Sequence, residues 1–247
     1  MASSTESGHA KNVANFEKLI AGVTALGSSY NPSKSSIMVQ ALLTLLATAN
    51  AAFTTVNSAE AAYKNAVGAR DAAFSPFSKL ITRVNNALKA SDTTQQVNES
   101  AMTLIRKLQG RRATPKMKED EKTALAAEGK EVVEISSSQM GYDTRLENFD
   151  KLIKLLTSVT TYVPNEEDLK VSALSVLYFY LKAKNTAVIN TEISLNNARI
   201  NRNDVLYTKN IGIVDISGDV KNYIKSLYGA TSPQFKTMSS LKFVNYS

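Results

Sequence analysis

Side chains able to do chemistry are few and far apart in this chain. There is one histidine, His9, and no cysteine. Without a thiol there is no cysteine nucleophile, disulfide, iron–sulfur cluster or thiolate zinc site. A single imidazole leaves almost nothing from which to build a Ser–His–Asp triad or a histidine-based metal site. His9 reads as an inert residue of a small, polar N-terminal tail, residues 1–10. Di-metal helical bundles use Glu-x-x-His pairs, and the chain has none. Gly129-Lys130 is followed by Glu131 and lacks the upstream glycine of a phosphate loop. Carboxylates cluster at Glu119-Asp120-Glu121, behind a basic run, and at Glu166-Glu167-Asp168, where they open a helix and favour its dipole. These patterns assign no catalytic residue, metal ligand or cofactor, and the expectation is a protein that is not an enzyme.

Two polar features remain. Arg70 and Arg202 sit inside otherwise apolar helical patterns, each with an asparagine five residues earlier, Asn65 and Asn197. One reading is an anion site. The other is a buried arginine paired with Glu17 or Asp150, or with Glu60 or Glu192, to fix helix register. The structural reading is favoured because every candidate partner is duplicated. The second feature is the basic run Arg106, Lys107, Arg111, Arg112, Lys116 and Lys118, a candidate anion-binding patch for phosphates of nucleic acid or lipid. It lacks interleaved aromatics for base stacking and follows no helix-turn-helix pattern, so a solvated linker is the commoner outcome.

The elements that must position these residues are helical. An apolar fraction of 43% is enough for a core, while ten glycines and five prolines are few for 247 residues. Asn15-Phe16-Glu17-Lys18-Leu19-Ile20 returns as Asn148-Phe149-Asp150-Lys151-Leu152-Ile153. Val13, Phe16, Leu19, Ile20, Val23 and Leu26 match Leu146, Phe149, Leu152, Ile153, Leu156 and Val159, one apolar stripe at helical spacing. Tyr30-Asn31-Pro32 and Tyr162-Val163-Pro164 follow, each proline read as the start of a second helix. The pattern resets at Asn57-Ser58 and Asn190-Thr191, which predicts a helix boundary in both copies. A third helix then carries Tyr63, Val67, Arg70, Phe74, Phe77, Ile81, Val84 and Leu88 in alternating steps of four and three. Pro76 should kink or interrupt it, and the second copy continues the seam through Leu206, Ile213, Ile216, Val220 and Leu227. Gln95 to Leu108 reads as a short helix stopped by Gly110. Lys122 to Ile135 reads as a solvated helix or a linker, and Ser136-Ser137-Ser138 as a cap.

The expected fold is therefore all-α, a tandem duplication of a helical-bundle unit with long coiled-coil-like helices. Residues 11–110 form one repeat, 111–135 a charged linker and 136–247 the second repeat. Lys107-Leu-Gln-Gly-Arg-Arg-Ala-Thr-Pro115, Glu134-Ile-Ser-Ser-Ser-Gln-Met140 and Tyr223-Ile-Lys-Ser-Leu-Tyr-Gly-Ala-Thr-Ser-Pro233 resemble a group of tandem-repeat helical proteins of Bacteroidota with no known function. The resemblance implies a bacterial protein and no activity.

The N-terminus lacks a Sec-type signal, so a cytoplasmic location, or export without such a signal, is expected. A net charge of +7 and a pI near 9.4 add a modest attraction to anions. The leading expectation is a structural or interaction protein that assembles with itself, its polar ends held by neighbouring copies. A nucleic-acid-associated basic protein is the alternative. A membrane-active, pore-forming type is the weakest. It would use the charge-free run between Lys34 and Glu60, but Lys170, Lys182 and Lys184 interrupt the matching stretch. No small-molecule substrate is indicated.

Overall fold

A chain this rich in alanine, leucine and lysine gains most by closing its backbone hydrogen bonds locally. The computed structural model describes residues 4–111 and 140–246, with side chains from Gly8 onward. Among them every regular element is a helix and none is a strand. The α-helices are α1 (Ser4–Ala25), α2 (Val39–Phe74), α3 (Phe77–Lys89), α4 (Gln95–Gln109), α5 (Tyr142–Ser158), α6 (Val171–Tyr207), α7 (Ile213–Tyr228) and α8 (Pro233–Ser239). The expected tail 1–10 is thus helical from Ser4, because the apolar stripe of α1 extends back to a buried His9. Residues 112–139, with the expected helix or linker at Lys122 to Ile135 and the serine cap at Ser136-Ser137-Ser138, lie outside the described residues.

The two long helices do not begin at the prolines. A single 3-10 turn comes first, Ser35–Ile37 before α2 and Glu167–Leu169 before α6. Met38 and Lys170 then adopt extended backbone, with ψ of 146° and 144°. That step strands the carbonyl just before it. Tyr30 donates its hydroxyl to the Ile37 carbonyl at 2.7 Å, and Tyr162 does the same for Leu169 at 2.9 Å. Both phenols are buried and both orphaned acceptors are satisfied.

The boundaries expected at Asn57-Ser58 and Asn190-Thr191 are absent, since α2 and α6 run straight through them. Asn57 and Ser58 are exposed, so their side chains stay in water and the backbone ladder continues. The real break is at Ser75-Pro76, which ends α2 and caps α3, so the seam from Tyr63 to Leu88 belongs to two helices. A second break follows Tyr207. Leu206 and Ile213 are buried on opposite sides of it, and Leu227 is 41% exposed, its expected core position taken by Ile224. α4 matches its expected span closely. Gly110 closes it at φ +64°, where a Cβ would stand 2.7 Å from the Met140 sulfur.

Each long helix buries one narrow edge. Leu42, Ala49 and Val56 on α2, then Leu174, Leu181, Val188, Leu195 and Arg202 on α6, recur every seventh residue and are all buried. The chain packs into two compact units, and these cut across the expected consecutive repeats. The first takes its residues from 1–63 and 191–247, the second from 64–190. The reason is the length of α2 and α6, each of which gives one part to one unit and the rest to the other.

In the first unit Phe16, Leu19 and Val23 of α1 pack with Leu42 and Ala49 of α2, Leu206 of α6, and Ile213, Ile216, Val220 and Ile224 of α7. In the second unit α3, α4, α5 and the start of α6 enclose Phe77 and Phe149, edge to face at 4.8 Å, and Phe74 stands edge to face with Tyr142 at 4.9 Å.

Two outcomes follow. Phe74→Ala should destabilise the fold by about 3–5 kcal/mol in a urea melt, and a change within about 0.5 kcal/mol would mean that this face is not core. Burial raises the pKa of the Tyr30 hydroxyl, with Tyr223 adding to it, and pushes Tyr162 up to about 12, with Glu166 and Asp168 adding. Both lie above the unfolded value of about 10. Their contribution is therefore fully present below about pH 10 and lost as pH climbs through the folded values. In a spectrophotometric titration Tyr30 and Tyr162 should be among those of the ten tyrosines that resist ionisation until alkaline unfolding. All ten ionising in a single step near about pH 10 would contradict it.

Candidate functional site

The polar groups that the helices draw inward form two clusters, one in each unit. In the second unit the guanidinium of Arg70 on α2 lies over the Tyr142 ring, Cζ 3.9 Å from its centroid. Its Nη1 donates to Asn185 Oδ1 at 3.2 Å, and the Asn185 amide donates to Asp143 Oδ1 at 2.7 Å. Tyr142 donates its hydroxyl to Asp71 Oδ1 at 2.6 Å, and that bond, then burial, raises its pKa. Arg145 stacks over Phe74 and Phe77, at 5.0 and 5.1 Å, and burial lowers its pKa. The Nε atoms of Arg70 and Arg145 are both buried without a hydrogen bond. Aromatic faces take the place of a carboxylate for Arg145 and add to one for Arg70.

In the first unit Arg202 on α6 is 4% exposed and His9 on α1 is 3% exposed. Arg202 Nη2 lies 3.2 Å from His9 Nε2, and its Nε and Nη2 donate to Asn203 Oδ1 at 3.3 and 3.0 Å. Arginine has no acceptor, so His9 accepts at Nε2, and this network assigns its proton to Nδ1, which donates to the Tyr207 hydroxyl at 2.6 Å. The next turn of α1 holds the C-terminal segment. Asn12 donates to the Val244 carbonyl at 2.7 Å and accepts from its amide at 3.1 Å, and Asn15 donates to the Lys242 carbonyl at 2.7 Å. The Tyr246 ring meets His9 edge-on and lies so close to Gly8 that a Cβ there would stand 2.5 Å from it. The polar end expected to need a neighbouring copy is held by α1 of the same chain.

Of the expected partners, Asp150 binds Lys154 at 2.6 Å, and Glu17 and Glu192 are exposed. Arg70 is served by Asn185, Asp71 and Tyr142 instead, because those residues reach the face of α2 on which it lies. Arg106 and Lys107 sit in the last turn of α4, where cations favour the helix dipole, and Arg111 follows exposed. Arg112, Lys116 and Lys118 lie outside the described residues.

His9 is the residue that sequence reasoning missed. Counting back from Phe16 and Val13 by helical steps places it on the buried stripe, and the repeat offset sets it against Tyr142.

The second unit also has a groove of about 740 Å³, lined by Arg83, Asn86, Asp92, Thr161, Asn165 and Glu166 among others. Arg83 is engaged by Asp168 in a two-pronged bond. The hydroxyls of Ser91 and Thr161 donate to the Ala87 and Asp92 carbonyls at 2.9 and 3.0 Å, so neither is poised against a base. Among the described residues no group of three His, Cys, Asp or Glu side chains comes together as a metal site.

Comparison with protein-family models, curated proteins and solved structures finds no match. What the clusters do by their geometry is join helices within a unit: α1 to α6 and the C-terminal segment in the first, α2 to α5 and α6 in the second. His9→Leu should therefore cost about 1–3 kcal/mol in a denaturant melt, because it strips a buried hydroxyl and a buried guanidinium of a partner. A variant as stable as the parent would return His9 to the role of an inert tail residue.

Proposed function

We propose that this chain is a non-enzymatic helical interaction protein that associates with copies of itself. The observation that carries this reading is the outward face of α2. Between Lys34 and Glu60 the chain has no charged residue, and the apolar window on this helix is only 17% buried. Thr44, Thr48, Thr54 and Thr55 donate their hydroxyls to carbonyls four residues back in the same helix, at 2.9–3.0 Å. Their polar atoms are thereby satisfied internally and their methyl groups face out beside Leu43, Ala47 and Ala51. A helix apolar on more than its core-facing edge is built to be covered twice.

A bilayer is the second candidate, since the helix is long and apolar enough to cross one by length and composition alone. Asn50 and Asn57 argue for another protein surface. They lie seven residues apart and exposed on the same helix, where a carboxamide is costly in lipid but can pair across a helix–helix contact.

The reading includes tandem duplication, with coiled-coil-like pairing of the long helices. Its support is the agreement of separate details at two adjacent offsets, one before and one after a single-residue gap: the Tyr30 and Tyr162 hydrogen bonds and the seventh-residue rows at one, and His9 against Tyr142, which meet Arg202 and Arg70, at the other. A duplicated chain offers two similar but unequal surfaces, which suits head-to-tail contacts that close into rings or extend into filaments.

Sedimentation velocity over a micromolar concentration series should reveal species larger than the 26.8 kDa chain. Ala47→Glu with Ala51→Glu should return it to monomer with its helical circular dichroism intact. A wild type that stays monomeric at every concentration and salt would end the reading, and leakage from dye-loaded vesicles in its place would favour the bilayer.

A further inference from the structure

A second uncovered face lies on α6 inside the second unit, and its chemistry differs from that of α2. Val176 is 70% exposed, Phe179 66% and Tyr180 49%. They stand three and four residues apart, so they are surface neighbours on one side of the helix, while Leu174 and Leu181 bury the other. Exposed Ala183 continues the strip. Tyr178 and Phe179 meet edge to face at 5.3 Å.

Lysines frame this strip. Lys182 Nζ lies 5.9 Å from the Tyr178 ring and Lys184 Nζ 5.3 Å from the Tyr180 ring. Neither has a carboxylate partner among the described residues. Lys151, Lys154 and Lys170 in the same unit, by contrast, are tied to Glu147, Asp150 and Glu167. Two ammonium groups without a carboxylate thus stand beside the exposed aromatic ridge.

We propose that this ridge, Val176, Phe179 and Tyr180 with Lys182 and Lys184, docks on the surface of an anionic lipid bilayer. Phe179 and Val176 suit the acyl boundary, the Tyr180 hydroxyl suits the headgroup level, and two unpaired ammonium groups suit lipid phosphates and carboxylates. The α2 face carries no charge and offers carboxamides that pair with another protein surface, whereas this ridge couples exposed aromatics to ammonium groups, the combination that acyl and headgroup layers accept. The contact is peripheral and uses α6, so it stands apart from the self-association assigned to α2.

The chain contains no tryptophan, so Phe179→Trp in the full-length protein places a single reporter on the ridge. Its emission should shift to the blue when phosphatidylcholine vesicles carrying phosphatidylserine are added, and stay unchanged with phosphatidylcholine alone. Adding Lys182→Gln and Lys184→Gln should weaken vesicle binding about thirtyfold, and salt should weaken it further. In the native background, Phe179→Ala should reduce co-sedimentation with the same vesicles while circular dichroism stays unchanged. No shift with anionic vesicles would overturn the proposal. So would binding indifferent to the two lysines, or a shift driven by protein concentration without lipid, which would assign the ridge to a second copy.

Discussion

The structure depends on how little of each long helix its own unit covers. A residue recurring every seventh position marks a single edge, and on α2 and α6 that edge is where burial is complete: Leu42, Ala49 and Val56 on one, Leu174 through Arg202 on the other. Burying such an aliphatic side chain is worth roughly 1.5–3 kcal/mol, so a few of them suffice to hold each helix to its neighbours. The rest of the helix surface is left to composition. On α2 it is alanine and back-bonded threonine, and on α6 it is valine, phenylalanine, tyrosine and lysine. The two surfaces proposed as contacts follow from that constraint.

The same edge explains where the arginines go. Arg202 continues the buried row of α6 one step past Leu195, and Arg70 lies seven residues beyond Tyr63 on α2. A charge at such a position needs hydrogen bonds or aromatic faces to offset lost hydration. Tyr142, Asn185 and Asp71 provide them for Arg70, and His9 and Asn203 contribute for Arg202. Asn12 and Asn15 extend the pattern, using carboxamides on a buried helix face to clasp the backbone near Val244 and Lys242. These polar contacts are few and specific, which suits a role in setting register more than a role in bulk stability.

Much of this was legible in the amino-acid order. The all-helical class, the apolar stripe of α1 and α5, the span of α4 with its Gly110 stop, and the break at Pro76 all follow from local rules of period and capping. The misplaced boundaries share one cause. Asn57-Ser58 and Asn190-Thr191 have the residue types of helix starts, yet such side chains cap only when the backbone leaves the helix, and nothing there forces it to leave. α2 and α6 each give part of their length to both units, and that division is a non-local consequence that no window of sequence records. The partners of Arg70 were out of reach for the same reason. Asn185 is 115 residues away and meets it only after α2 and α6 have packed. His9 was within reach, because its spacing from Val13 and Phe16 is helical.

The central claim is that the outward face of α2 is a contact surface between copies of the chain. The most direct measurement is oxidative crosslinking, since the chain has no cysteine and any thiol introduced is the only one present. Ala51→Cys, on the outward face, should form a disulfide-linked dimer rapidly at micromolar concentration. Ala49→Cys, at a position 1% exposed on the same turn, and Thr82→Cys, exposed on α3, should not. Ala51→Cys crosslinking no faster than Thr82→Cys would contradict the account.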